Sequence, residues 1–112
     1  MCIRDRTKFE KISKTPEFKF IYQNGTKWHS RVAVVYFLAD TKSRFAVVAS
    51  KKVGKAVIRN RVKRRLKVAF TQIQNELKIG NYIVVARNEA ANVEFSQIVG
   101  NLRWSFKRLG LL

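Results

Sequence analysis

Between Asp40 and Glu76 the chain carries no acidic residue, and within that interval stand Lys42, Arg44, Lys51, Lys52, Lys55, Arg59, Arg61, Lys63, Arg64, Arg65 and Lys67. Cations at this density suit phosphate, because arginine offers a planar fork of donors and lysine a compact point charge. A solvated helix usually mixes signs, since like charges one turn apart cost it a few tenths of a kcal/mol per pair. Two readings stay open at this point, a solvated face kept for solubility and a surface shaped to meet polyanion. Gly54, just ahead of the expected helix start with its free backbone N–H groups, adds an anion-accepting position. Three rings form a second group. Phe18, Tyr22 and Tyr36 are either ordinary core or a platform on which unpaired bases stack, at roughly 1–3 kcal/mol per base.

Other chemistry finds no support. Asp5, Glu10, Glu17, Asp40, Glu76, Glu89 and Glu94 are scattered, with no helical i, i+4 pair to gather a divalent ion. His29 is the sole histidine and Cys2 the sole cysteine, so neither a Cys/His metal set nor an internal disulfide exists. The five glycines are isolated and form no phosphate loop. The expectation is therefore no catalytic residue, no metal ligand and no cofactor bound by the polypeptide alone. The net charge of +17 points outward instead, to a polyanionic partner. No apolar run approaches the roughly 18 residues that span a bilayer, and the N-terminus lacks the long apolar core of a secretory signal. A reduced, cytoplasmic setting without membrane attachment follows as the expectation.

The elements that must position these groups can be read from periodicity. With 112 residues, 46 % of them hydrophobic, the chain is expected to form one domain, residues 14–112, after a flexible basic lead-in over 1–13. Thr15 as N-cap and Pro16 at the first position start a helix that ends at Asn24-Gly25. Arg31–Leu38 reads as a strand with Val32, Val34, Tyr36 and Leu38 on one face, and Arg44–Ser50 as a second strand after a connection of hairpin length. Ile58, Val62, Leu66, Ala69, Phe70, Ile73 and Leu77 mark a long helix whose opposite side presents Asn60, Arg61, Arg64 and Lys67, with Lys63 and Arg65 at the flanks. Tyr82–Ala86, apolar without alternation, reads as a central strand. Phe95, Ile98, Val99, Leu102, Phe106 and Leu109 mark a closing helix. Trp28, Trp104 and Phe106 read as core or edge packing. The order α-β-β-α-β-α defines an α+β sandwich.

Ser50-Lys51-Lys52-Val53-Gly54-Lys55-Ala56-Val57-Ile58-Arg59-Asn60-Arg61-Val62-Lys63-Arg64 carries unbroken the Ser-Lys-Lys-x-Gly-x-Ala-Val-x-Arg-Asn-Arg-x-Lys-Arg pattern of the bacterial ribonuclease P protein family. The resemblance extends over about residues 14–112. It departs in Lys67 where arginine is common, in Arg65 where an apolar residue is frequent, and in Val68 where a polar one is. Met1-Cys2-Ile3-Arg4-Asp5-Arg6 matches nothing in the pattern and is expected to be a mis-assigned start or a scar.

The resemblance implies the fold of a small-subunit ribosomal protein domain, with a left-handed crossover, against the general chirality rule. It implies the protein subunit of a ribonucleoprotein that removes the 5′ leader from precursor tRNA by metal-dependent hydrolysis, one protein per catalytic RNA. In that role Lys51, Lys52, Arg59, Asn60, Arg61, Lys63, Arg64 and Lys67 would contact the catalytic RNA, and Phe18, Tyr22 and Tyr36 would receive the leader. Mg²⁺ would be required by the RNA-containing holoenzyme, and the polypeptide alone would be inactive. A ribosomal or chaperone-like RNA binder on the same fold and a DNA-compacting protein are the rivals.

Overall fold

In the computed structural model, which describes residues 10–12, 14–41 and 43–111, a five-stranded sheet is built around one strand that is apolar on both faces. The elements run β1 (Glu10–Lys11), α1 (Thr15–Asn24), β2 (Thr26–His29), β3 (Ala33–Ala39), β4 (Arg44–Val48), α2 (Ala56–Ile73), β5 (Gly80–Ala86) and α3 (Phe95–Arg108). The sheet order is β1-β4-β5-β3-β2. β5 pairs parallel with β4 and antiparallel with β3, so α2 serves as the crossover between two parallel neighbours. The register aligns Phe37, Tyr82 and Phe45 in one row and Tyr36, Ile83 and Ala46 in the next, and adjacent rows face opposite sides.

One face carries α2 and α3. Val62, Leu66, Ala69, Phe70 and Ile73 of α2 and Ile98, Leu102 and Phe106 of α3 are buried there against Val35, Tyr82 and Val84. The Phe70 ring stacks on Phe45 with centroids 3.7 Å apart and meets Tyr82 and Phe106 edge-on at 5.6 and 5.9 Å. The other face is lighter. There α1 buries Ile21 beside Ile12, Ala46 and Ile83. Gly25 ends α1 with φ −82°, so left-handed freedom is not its purpose. A Cβ at this position would lie 2.7 Å from the carbonyl oxygens of both Ile21 and Phe37; close backbone approach is the reason for glycine.

The α+β class, the three helices and the central position of Tyr82–Ala86 agree with the sequence reading. Several boundaries and two strands do not. Lys14, in extended conformation, is the N-cap of α1 and Thr15 lies inside it. The expected strand over 31–38 is Ala33–Ala39. Thr26–His29 adds an edge strand that its mixed, half-polar sequence did not announce. The flexible lead-in is corrected at its end: Glu10 and Lys11 pair parallel with Arg44 and Phe45, the Ile12 N–H donates to the Phe45 carbonyl, and Ile12 is 2 % exposed. Two residues are too few to display alternation, so only the packing reveals them. Cys2, the segment 1–6 and Lys42 lie outside the described residues.

Ile12→Ala tests whether this short strand belongs to the fold. Removing a fully buried isoleucine side chain costs about 2–5 kcal/mol, whereas a mobile lead-in would lose nothing. Urea unfolding followed by circular dichroism reads the difference.

Candidate nucleic-acid interface

The turn Lys51–Val53 is pinned by buried Val53, and Gly54 follows with φ +148°, a conformation that suits glycine, tight against Ile58. Lys55 then caps α2 with extended backbone and no side-chain hydrogen bond, and the first turn holds no acid. The leading N–H groups of α2 therefore sit beside Lys51, Lys52 and Lys55 with no carboxylate from the first turn to neutralise them. Along α2, Asn60, Arg61, Arg64 and Lys67 are exposed, as their angular position requires, and Arg59, Lys63 and Arg65 are half-buried. Arg59 Nε is buried without a hydrogen-bond partner. Among the described residues the ion pairs are Arg31–Glu89, Arg44–Glu17, Arg44–Asp40 and Arg103–Glu76. None involves a cation between Lys51 and Lys67. The positive surface is open.

Beside it lies a groove of about 500 Å³ with Lys63 and Lys67 on one wall, Lys11, Ile12 and Phe18 on the other, and Phe45, Ala46 and Val47 at its base. Its origin is the shortness of β1, which covers β4 opposite Arg44 and Phe45 and then ends. The Phe45 carbonyl accepts from Ile12, and Val47, two residues on, turns its peptide groups toward the same side. The edge of β4 thus joins the two helices, and nothing in the local pattern of residues 10–12 announces that Lys11 and Ile12 form a wall.

Phe18 meets Tyr22 at 6.3 Å between ring centroids, and Tyr22 meets Tyr36 edge-on at 4.8 Å. The three rings form one contact chain because α1 lies across β3. Phe18 reaches the groove; Tyr22 and Tyr36 continue the line of rings away from it across α1 and β3. Phe18 and Tyr36 also pack on Ile12, Ile21, Ala46 and Ile83, while Tyr22 keeps 38 % of its surface exposed. Burial, and secondarily the neighbouring Tyr36 hydroxyl, pushes the Tyr22 phenol above its ordinary pKa. Phe20, 59 % exposed on the same helix, is a ring the spacing argument passed over.

What fixes α1 above the sheet is polar. Arg44 donates through Nη1 to Glu17 in the first turn of α1, and through Nε to Asn81 Oδ1 at 2.8 Å, while its Nη2 lies 3.6 Å from Asp40. Asn81 Nδ2 in turn donates to Asp40 Oδ2 at 3.0 Å, and the Thr41 N–H donates to Asp40 Oδ1. Arg44 therefore serves the fold, although it stands in the acid-free interval. The amide of Asn81, followed by the Thr41 N–H, holds the Asp40 carboxyl below its ordinary pKa. Among the described residues no three His, Cys, Asp or Glu side chains come together in a way that could hold a metal ion. Glu17 and Asp40 both face the Arg44 guanidinium. No described helix is long and apolar enough to cross a membrane.

Comparison with known proteins places this geometry among relatives. Residues 7–110 match the family model described as Ribonuclease P. A ribonuclease P protein component of Carboxydothermus hydrogenoformans is 41 % identical over 101 residues, covering 86 % of this chain and 87 % of that protein. One from Nitratiruptor is 44 % identical over 82 residues, 73 % of this chain and 75 % of its own. The solved RNase P protein of Staphylococcus aureus superposes with a TM-score of 0.83 at 30 % identity, covering 93 % of this chain and 98 % of that one.

The Asp40 contacts give a pH signature. A carboxyl whose folded pKa is depressed stabilises the fold above its unfolded pKa, near 4, and loses that contribution as pH falls through the folded value. Stability measured by urea unfolding is expected to decline over this acid range, and Asp40→Asn is expected to flatten part of the decline. An unchanged profile in the variant would show that Asp40 makes no contribution.

Proposed function

The chain belongs to the ribonuclease P protein component family, and from that premise we propose that it is the protein subunit of ribonuclease P, joining catalytic RNA to precursor tRNA. The supporting observation is the groove in which Lys63 and Lys67 face Phe18 across the edge of β4. It makes the basic face and the line of rings one continuous surface. In this reading Lys51, Lys52, Arg59, Asn60, Arg61, Lys63, Arg64 and Lys67 engage the catalytic RNA, neutralising phosphates that its fold crowds together. Phe18, Tyr22 and Tyr36 take the single-stranded 5′ leader by stacking and edge contact. The leader is present in the substrate and absent from mature tRNA, so this contact raises affinity for precursor and favours product release.

The polypeptide then has no bond to break. Glu17 and Asp40 are engaged by Arg44, and among the described residues no three His, Cys, Asp or Glu side chains are grouped to hold a metal ion. The Mg²⁺ that a metal-dependent hydrolysis requires is assigned in this reading to the RNA. One protein per catalytic RNA completes the assembly, with cleavage at the tRNA 5′ end arising from the RNA. An RNA-binding protein without a part in processing would share the basic surface but would not raise precursor cleavage by the catalytic RNA at low Mg²⁺.

Two measurements test the two surfaces separately. Affinity for the catalytic RNA is expected to fall roughly 10³–10⁵-fold between 50 and 200 mM salt if six to ten phosphates are engaged, on the slope calibrated for DNA; a flat titration would remove the basic face from the reading. In the reconstituted ribonucleoprotein, Phe18→Ala with Tyr36→Ala is expected to weaken precursor tRNA binding about ten-fold or more, the scale of one or two lost stacking contacts, and to leave mature tRNA unaffected. Equal losses on both would count against leader capture.

A further inference from the structure

Both tryptophans of the chain meet at one place, away from the groove. Trp28 on β2 pairs in register with Val35, whose side chain is buried on the α2 and α3 side of the sheet, and Trp104 lies on α3 itself. Between them sits Arg108, its guanidinium carbon 5.2 Å from the Trp28 ring centre and 5.6 Å from that of Trp104. Trp104 and Arg108 are four residues apart on one helix, so α3 sets half of the arrangement and the edge strand supplies the rest. These indoles, read from the sequence as core or edge packing, lie at the edge. The buried residues of α3 are Ile98, Leu102, Ser105 and Phe106, and Trp104 is 55 % exposed.

A guanidinium lying over an aromatic ring uses its flat face, and its donors, which lie in the guanidinium plane, remain free to point past the rings. Among the described residues neither Arg108 nor its neighbour Lys107 takes part in an ion pair; Glu94 caps the far end of the helix, and Glu76 is held by Arg103. The site therefore offers an open indole face, an unclaimed fork of donors and a positive surround. An acidic protein segment would satisfy the cation and leave the indole in water. A nucleotide satisfies both, with its base on the ring and its phosphate on the fork.

We propose that Trp28, Arg108 and Trp104 form a second site for unpaired RNA, on the sheet face opposite α1, stacking a base on Trp104 and binding the adjacent phosphate through Arg108. The site goes beyond the proposed function and does not require it. Because the chain has no other tryptophan, tryptophan emission, excited selectively over the three tyrosines, reports this location alone. Titrating the full chain with a short oligoadenylate is expected to quench tryptophan emission saturably. Inorganic polyphosphate at matched phosphate concentration, charge without bases, is expected not to. Trp104→Ala, read through the remaining Trp28, and Arg108→Lys, which keeps the charge but loses the plane and fork, are each expected to weaken the quenching titration about ten-fold, the scale of one stacked base. Phe18→Ala with Tyr36→Ala is expected to leave it unchanged, which separates this site from the groove. Equal quenching by polyphosphate, an affinity that both the Trp104 and Arg108 variants retain, or dependence on Phe18 and Tyr36 would each overturn the proposal.

Discussion

The architecture depends on β5 being buried on both sides. Its side chains alternate between a deep aromatic layer, where Tyr82 meets Phe70 and Phe106, and a shallow aliphatic one, where Ile83 meets Ile21 and Ala46. A strand of this composition requires cover above and below. The long helix α2 and α3 supply one cover and short α1 the other, so the two helices that carry the candidate binding groups are forced onto opposite faces. They approach each other only around the edge of β4, and the groove lies there.

The same asymmetry explains how α2 tolerates its charge. Arg59–Lys63, Arg61–Arg64, Arg61–Arg65, Lys63–Lys67 and Arg64–Lys67 are like pairs three or four residues apart, each costing about 0.2–0.5 kcal/mol. Against them stand Val62, Leu66, Ala69, Phe70 and Ile73. A fully buried large apolar side chain contributes about 1.5–3 kcal/mol, so burial outweighs the repulsion several-fold. The helix forms because of what lies beneath it, and its outer surface is free to be one sign of charge.

Much of this was legible in the chain. The stripe from Ile58 to Ile73 placed Asn60, Arg61, Arg64 and Lys67 outward. This prediction worked because a helix of such length has one dominant period. What escaped depended on contacts between distant segments. Ile12 needs β4 to become core, Arg44 needs Glu17 and Asn81 to become a structural cation, and Trp28 needs α3 to meet Arg108. In each case the local sequence carries no period from which the partner follows, and a two-residue strand has none at all.

The brevity of β1 has one further effect. A strand edge left open is a template on which any extended polypeptide can add itself, the route to β-augmentation and to self-association. Here the unpaired edge of β4 is overlooked by Lys63 and Lys67, with Lys11 nearby. An apolar peptide laid along that edge would have to desolvate ammonium groups without compensation. The lips of the groove thus discourage invasion by protein strands, and by a second copy of this chain, while remaining open to a chain that carries its own negative charge.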